Sequence, residues 1–495
     1  MRIVLSPKSA EDYRKFLRVK SLPKYSIHGH VAEVPDEYAG LLNMDSVPEG
    51  LPEYVPSDFL FDYQGGITAT AVGKGKFSVF ADCGLGKTLI FLEFLRYVDS
   101  ITAARRCSLI VSPLMVVEQT IAEAERFYGG SLPIRRLRSS ELGQWLLSGK
   151  ERIGIVNYEA MNNDVAPGRL AALVLDESSM LKSQYGKWGG RCLSLGRGLR
   201  WKMCCTGTPA PNDRIEYANH AVFMDAFPTV NSFYSRFFVN RGDKNNKWEL
   251  KPHGLRDFYL CLSHWSIFLT NPATYGWRDH SDDIPPIRVH THDVPMTAEQ
   301  ERMAAELHGG LFMTGVEGGI ASRSRYSQIA KGHYKGRSIA TNKPAYIRRL
   351  VDSWPDESTI IWCWYNAEQE LIERTFPEAV SITGATPYYD RKRMIDDFKS
   401  GRKRIMITKP RILGFGLNLQ RATRQVFSGL QDSYESYYQA VKRSNRVGSL
   451  KPLDVHIPIT EIERPMVDNV LRKADRVQVD TERQERIFRD ASTGW

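Results

Sequence analysis

The sequence predicts an α/β chain of two parallel-sheet lobes in tandem, with a helical insert and linker between them and a small N-terminal α/β appendage. Three observations predict it. From about residue 59 to 210, short apolar runs (FSVFA, SLIVS, IGIVNYE, ALVLDE, KMCCTG) alternate with helix-like runs. The rhythm resumes at STIIWCWY and continues through AVSITG, RIMIT, RQVFSG and DVHIPI, and strands separated by helical crossovers pair in parallel. Finally, 495 residues exceed one ordinary core, since a domain takes about 150 residues.

Residues 1–50 carry an apolar run from Arg2 to Leu5, a helical run from Ala10 to Val19, a strand-like run from Ser26 to Val34 and another short helix. They are expected to form the appended module. The Pro-rich stretch SVPEGLPEYVPSD at 46–58 marks its boundary, and the first lobe is expected over 51–225. Residues 226–340 lose the rhythm; aromatic clusters, the polar loop NRGDKNNKWE and SDDIPPIRVH predict helices and linker. The second lobe is expected over 341–462. Residues 463–495 then contain a polar helix with an apolar stripe, a brace on one lobe.

Hydrophobic residues at 42% and charged residues at 25% are globular values, and no apolar run approaches the ~18 residues that span a bilayer. A soluble protein is expected. The N-terminus MRIVLSPKSAEDYRKFLRVK lacks the long apolar segment of an export signal. Cysteines at 83, 107, 192, 204, 205, 261 and 363 form no C-x-x-C pair, which argues against a zinc ribbon and for a reducing, cytoplasmic setting. A formal charge of +10 suits a polyanion through counterion release, or a solvated basic surface.

In ADCGLGKT the pattern is A-x-x-x-x-G-K-T, a phosphate loop with Ala81 in place of its first glycine. It lies between the apolar strand Phe77 to Phe80 and the helical run Leu89 to Val98. Across Cys83, Gly84, Leu85 and Gly86, backbone N–H groups can turn inward around phosphate oxygens at the positive end of the next helix. Lys87 would bridge the β- and γ-phosphates of ATP, and Thr88 would ligate Mg²⁺. The bland alternative is a Gly-rich turn beside a buried lysine.

LVLDES supplies the metal-side carboxylate, because Leu173 to Leu175 form a buried strand that delivers Asp176 and Glu177 at its C-terminal end. Asp176 would hold Mg²⁺ and Glu177 would take a proton from the attacking water; such a pair can also cap a helix. Far along the chain, QAVKRSNRVGS sets Arg443 and Arg446 three apart on one expected helical face. They would reach a γ-phosphate, or else decorate a solvated basic helix.

With these pieces in order, the chain resembles helicase superfamily two, specifically the Swi/Snf-type branch of double-stranded DNA translocases, over about residues 59–450. FDYQ resembles the adenine-reading element, LIVSPLMVVEQ motif Ia, IVNYEA the segment before motif II, and CTGTPAPN motif III. IIWCWYNAEQELI resembles motif IV, ITGATPYYDRKRMIDDFKSG the block after it, GFGLNLQ motif V, and QAVKRSNRVGS motif VI.

The resemblance implies two RecA-like lobes closing on ATP, with Tyr63 and Gln64 at the adenine, and Gln439 joining Arg443 and Arg446 at the γ-phosphate. Thr206 and Thr208 would link the ATP cleft to a DNA groove, while turns at Pro113, Thr386 and Asn418 would lie on sugar-phosphate backbone. Lys409 and Arg411 would add charge there, or remain solvated surface. The implied function is an ATP-dependent motor on double-stranded DNA. Alternatives are a strand-separating DNA or RNA helicase, or a nucleotide-gated DNA-binding scaffold with little turnover. A monomer is expected, with residues 1–50 choosing a substrate or a protein partner, or padding the first lobe. The compact motif spacing suggests a bacterial or phage setting.

Three departures stand out. Ser178 and Ser179 replace the Ala-His or Gly-His usual after Asp-Glu, so the histidine route to motif III is expected to be absent. KPRILGFG lacks the usual Ser-Thr start of motif V, and Ser449 stands where glutamine ends motif VI. Aromatics at 233–259 are expected in a core rather than on a base-stacking platform. The H-x-H pairs His28/His30 and His290/His292 are expected to pack or face solvent, since no zinc-type spacing completes them.

Overall fold

The computed structural model describes the chain apart from residues 5–14, 17, 21, 23–24, 36–37, 39–41, 43–50, 163–164, 182–186, 211–212, 243–247, 253, 279–283, 315–319, 414–416, 432, 447–448 and 492–495. Outside the described residues lie most of the expected helices in 1–50, the middle of the polar loop at 243–247, Pro211 and Asn212 of CTGTPAPN, the GFG at 414–416, and Val447 with Gly448. The chain divides into two compact units, Met1–Asp279 with Thr481–Trp495, and His280–Asp480.

The first unit opens with β1 (Arg2–Val4), β2 (Ser26–His28) and β3 (Val31–Glu33), an antiparallel sheet in the order β1-β3-β2. The single strand expected from Ser26 to Val34 is thus a hairpin. Gly29, at φ +62°, turns the chain between His28 and His30, a conformation open to glycine and costly for other residues. Ile3, Val19, Ala32, Val34 and Tyr38 form a small core beneath it.

The main sheet of this unit is built from β4 (Lys76–Ala81), β5 (Cys107–Ser112), β6 (Ile134–Arg136), β7 (Ile153–Asn157), β8 (Leu170–Asp176) and β9 (Trp201–Cys205). Helix α1 (Asp62–Lys74) precedes β4 and α2 (Lys87–Ile101) follows it; α3 (Tyr217–Phe223) comes after β9. The strand order is β12-β4-β9-β8-β5-β7-β6, where β12 is Ser266–Leu269, and every pairing is parallel. Strands β5, β8 and β9 are buried at every residue, as a sheet covered on both faces requires.

Side chains alternate between the two faces. Leu173 and Leu175 join a cluster with Phe80, Tyr217 and Phe223, whereas Ala172 and Val174 join one with Ile90, Phe91 and Phe94 of α2. Truncating a side chain such as Leu173 to alanine would cost about 2–5 kcal/mol through lost burial and the cavity left behind.

The expected insert contributes strands as well as helices. Beyond the hairpin β10 (Phe238–Asn240) and β11 (Trp248–Leu250), SIFL forms the edge strand β12 beside β4. Its Leu269 carbonyl accepts from Asp82 N at 2.8 Å, so β12 steadies the chain just past β4. Phe233, Phe237, Phe238 and Phe258 lie in the core on one face of the sheet, the packing role expected of the aromatic run. Near the C-terminus, Thr270 Oγ1 donates to Glu485 at 2.6 Å and Phe488 packs near Phe268, so Glu485 and Phe488 brace β12.

In the second unit the strands are β13 (Ile287–Asp293), the hairpin β14 (His333–Tyr334) and β15 (Arg337–Ser338), β16 (Thr359–Trp362), β17 (Val380–Ser381), β18 (Ile405–Thr408), β19 (Arg424–Phe427) and β20 (Leu453–Ile459). Helix α4 (Tyr434–Val441) follows β19, and α5 (Arg464–Ala491) follows β20. The main sheet is wholly parallel, ordered β13-β20-β19-β16-β18-β17. The linker region therefore donates β13, which pairs with β20 along its whole length. His290 and His292 stack on His456 with ring centroids 4.7 and 5.2 Å apart, a packing role. Among the described residues no helix is long and apolar enough to cross a membrane.

Candidate nucleotide site

Strand β4 ends at Ala81 and α2 starts at Lys87, so the intervening residues must reverse direction within one tight loop. Gly84 (φ +93°) and Gly86 (φ +68°) make the turn. No described side chain caps the start of α2, which leaves its first backbone N–H groups facing the loop, the arrangement that favours an anion. Lys87 Nζ donates to the carbonyls of Ala81 (2.9 Å) and Asp82 (3.2 Å), folding back over the turn. Cys83 and Leu85 are buried and anchor the loop.

Helix α1 brings Tyr63 and Gln64 against the same loop. The Tyr63 hydroxyl and Gln64 Nε2 both donate to the Leu85 carbonyl, at 3.2 and 3.5 Å. Gln64 Oε1 accepts from Phe61 N at 3.0 Å. An amide has two N–H donors and two acceptor lone pairs, so these bonds use half its capacity. A Cβ on Gly86 would lie 2.1 Å from Gln64 Nε2, so the Gln64 side chain would have to shift, and the φ of +68° strains any residue with a Cβ there.

Two strands deliver the remaining groups. In the parallel register Val79 of β4 lies beside Cys205 of β9, and Cys205 beside Asp176 of β8. The phosphate loop and the carboxylates therefore emerge at one level, one strand apart, which is about 10 Å at about 4.8 Å per strand. Asp176 Oδ2 accepts from Ser112 Oγ at 2.9 Å, and Oδ1 from Glu177 N at 3.0 Å. Burial, reinforced by the Glu177 charge, pushes the Asp176 carboxyl up to about 7, while the Ser112 bond and Lys87 oppose the rise.

Glu177 has left-handed backbone, φ +47°, at a cost of about 1–2 kcal/mol for a residue with a Cβ. Its side chain accepts from Thr206 Oγ1 at 3.4 Å, and Thr206 Oγ1 accepts from Thr208 N at 3.2 Å. A Cβ on Gly207 would lie 3.3 Å from the Ala81 carbonyl, so the Thr-Gly-Thr turn rests on the start of the phosphate loop. Thr206 is fully buried and turned to Glu177. It therefore offers nothing to a nucleic acid directly; of the two threonines expected at a DNA groove, only Thr208 has surface.

The donor set fits Mg²⁺. Thr88 and Asp176 present hard oxygens, and among the described residues no group of three His, Cys, Asp or Glu is arranged to hold a metal unaided. Mg²⁺ ordinarily takes one or two protein ligands and completes its shell with water and substrate phosphates.

In the second unit, α4 ends at Val441, and Arg443 and Arg446 follow it in turns rather than sharing a helical face. The physical reason lies in Ser444 and Asn445, whose side chains bond away from the helix, to Gln425 Nε2 at 2.8 Å and to the Pro285 carbonyl at 2.6 Å. Arg443 is fully buried, and its carbonyl accepts from Leu419 N at 2.9 Å. Ser449 closes the turn: its Oγ accepts from Arg446 N at 3.1 Å and donates to the Ser444 carbonyl at 2.9 Å. Gln439 is buried, with Nε2 3.4 Å from Glu435.

Of the residues expected on DNA, Pro113 and Lys409 sit just beyond parallel strand ends, Arg411 lies in the short helix Pro410–Leu413, and Thr386 and Asn418 lie in turns further along. Pro113 follows β5. Thr386 closes the turn after β17, its Oγ1 accepting from Thr383 N at 2.9 Å. Lys409 follows β18 and bonds Asn366, and Arg411 beside it is exposed. Asn418 is exposed and accepts from Gln420 N at 3.2 Å, an Asx turn.

Residues 78–337 match the SNF2-related domain, and residues 342–448 the helicase conserved C-terminal domain. The chain belongs to the SNF2-related family. With both domains in this order it is a Swi/Snf-type core of helicase superfamily two, an ATPase fold of two RecA-like lobes. It is similar to the SWI/SNF chromatin-remodeling complex subunit snf22 of Schizosaccharomyces pombe, 20% identical over 447 residues, covering 79% of this chain and 26% of that protein. It is also similar to the ATP-dependent helicase fft1 of the same yeast, 26% identical over 131 residues, 26% of this chain and 14% of that one. The chain thus spans about a quarter or less of the length of these relatives. A solved structure described as the Sulfolobus solfataricus SWI2/SNF2 ATPase core in complex with dsDNA matches at 18% identity and a TM-score of 0.40, covering 88% of this chain and 96% of that one.

Two residues of this SNF2-related site carry no motif signal of their own. Ser112 bonds the Asp176 carboxylate, and the Tyr158 hydroxyl donates to the Asp176 carbonyl at 2.8 Å. Both lie inside recognisable runs, LIVSP and IVNYEA. Strand β5 ends in the Ser112 hydroxyl directly beside β8, whereas Tyr158 follows β7, which β5 separates from β8.

Proposed function

We propose that this chain hydrolyses ATP and uses the cycle to move along double-stranded DNA. The observation that carries the reading is the meeting, at level ends of β4, β9 and β8, of a phosphate loop, a carboxylate pair and a turn that touches both. In this reading Lys87 and the start of α2 hold the phosphates, while Tyr63 and Gln64 read the base. Mg²⁺ held by Thr88 and Asp176 would neutralise charge on the phosphates. Glu177 accepts a proton from the attacking water, and Gln439, Arg443 and Arg446 stabilise charge on the γ-phosphate.

Thr206 reports the state of Glu177 to Thr208, and Thr208, Pro113, Thr386, Lys409, Arg411 and Asn418 grip sugar-phosphate backbone. Such contacts give purchase without reading bases, as a sliding motor requires, and the formal charge of +10 suits that partner.

ATPase rates with duplex DNA, single-stranded DNA and RNA at several salt concentrations test the reading. Stimulation by duplex that fades as salt rises is expected; RNA-selective stimulation would overturn the substrate. The relative described as a helicase favours strand separation as the second reading. Displacement of a triplex strand without duplex unwinding decides for translocation, and unwinding decides against it.

A further inference from the structure

Glu177 must hold a strained backbone while its carboxylate stays aimed, so the groups that clamp its neighbours matter. On one side Asp176 is fixed by Ser112 and Tyr158. On the other side lies Ser178, fully buried, whose Oγ is 3.0 Å from His220 Nε2.

His220 comes from α3, 42 positions later in the chain, and is itself fully buried. Its ring stands edge-on to Phe80 at 5.3 Å, in β4 just before the phosphate loop. The preceding residue, Asn219, donates to the Leu181 carbonyl, so α3 grips the segment after Glu177 at both ends. Burial holds His220 at about 4, so the imidazole is neutral and its bond to Ser178 is insensitive to pH near neutrality. The segment after Asp-Glu, which carries no histidine of its own, is thus met by one from another helix.

We propose that His220 is a positioning residue for ATP hydrolysis, which through Ser178 fixes the backbone that aims Glu177. The inference rests on Glu177 acting as the general base. Misaiming such a group by about 1 Å costs up to about 100-fold in rate.

The test uses the full chain with saturating duplex DNA, and reads kcat and KM for ATP together with the melting temperature. Ser178→Ala deletes one hydroxyl, His220→Phe keeps a ring against Phe80, and His220→Gln keeps a hydrogen-bonding group. Ser178→Ala and His220→Phe are each expected to lower kcat by about 10-fold or more with KM within about twofold. The double variant should fall no further than the worse single one, since both break the same link, and His220→Gln should recover part of the loss.

Wild-type kcat in a folded Ser178→Ala protein, or losses that multiply in the double variant, would overturn the proposal. If His220→Phe does not fold, Ser178→Ala alone decides. Glu177→Gln separates the two layers. Retained turnover there sinks the general-base assignment and this inference with it, whereas loss there beside an active Ser178→Ala sinks only the role of His220.

Discussion

Among the carboxylates each unit buries, Asp176 in the first and Glu463 in the second are treated in opposite ways. In the first unit, burial and the neighbouring Glu177 charge lift Asp176 to about 7, with Lys87 and Ser112 only partly compensating. In the second unit, burial would lift Glu463 as well, but Lys331 and Lys343 outweigh it and hold the carboxyl below the ordinary value. Lys331 Nζ is 2.6 Å from Glu463 Oε1, Lys343 pairs with Oε2, and Thr460 donates to the same oxygen from its N and Oγ1, at 3.1 Å each. Burial of charge is thus no sign of chemistry by itself. The satisfied carboxylate ties α5 to the helices Ile320–Ala330 and Lys343–Asp352, whereas the under-compensated one is suited to a cation arriving with a substrate.

The sharpest way to break this contrast is to disable each site and ask what fails. Lys87→Ala or Glu177→Gln should reduce ATP turnover by about 10²–10⁴-fold with little change in melting temperature. Loss of folding instead would make the first site structural too. Conversely, Glu463→Ala strands two buried ammonium groups and should cost about 3–5 kcal/mol in urea unfolding. Replacing Lys331, Lys343 and Glu463 together by apolar residues of similar size should recover only part of that, because buried Glu368 then loses the two cations that offset its burial.

A smaller effect concerns the histidine stack of the second unit. Burial first, then His290 and His292, with Arg424 also opposing and Asp454 favouring protonation, lowers His456 to about 4, and the Trp354 ring packs on it at 4.4 Å. The unfolded chain takes up a proton below about 6.5 that the native state refuses until about 4, so stability present above about 6.5 drains away as pH falls across that window. Urea melts at about pH 7 and about pH 5 should show a smaller loss for His456→Phe than for wild type. The smallest effect is expected at Arg135, which pairs with Glu141 and Glu151 on the surface. Arg135→Ala should leave both melting temperature and ATPase rate unchanged within error.

What could be read from the chain beforehand was whatever chemistry or burial writes locally. A phosphate loop needs glycines, lysine and threonine at fixed spacing, and strands β5, β8 and β9, covered on both faces, come out as mostly apolar runs, interrupted by Ser108 in β5 and Lys202 in β9. Edge strand β12 was not legible, because four residues of SIFL among aromatic helices carry no periodicity that separates strand from helix. Nor was the exit of Arg443 and Arg446 from α4, which depends on side-chain partners at Gln425 and Pro285. Ser112 and His220 lie 64 and 42 positions from their partners, and only the folded sheet reveals such pairs.

The missing methyl of Gly86 has a reach beyond its own turn. Because the Gln64 amide occupies the space a side chain at Gly86 would fill, a larger residue in the loop has to push that amide aside and break its bond to the Leu85 carbonyl. A substitution at Gln64 is therefore expected to alter the packing of the loop as well as of the first helix.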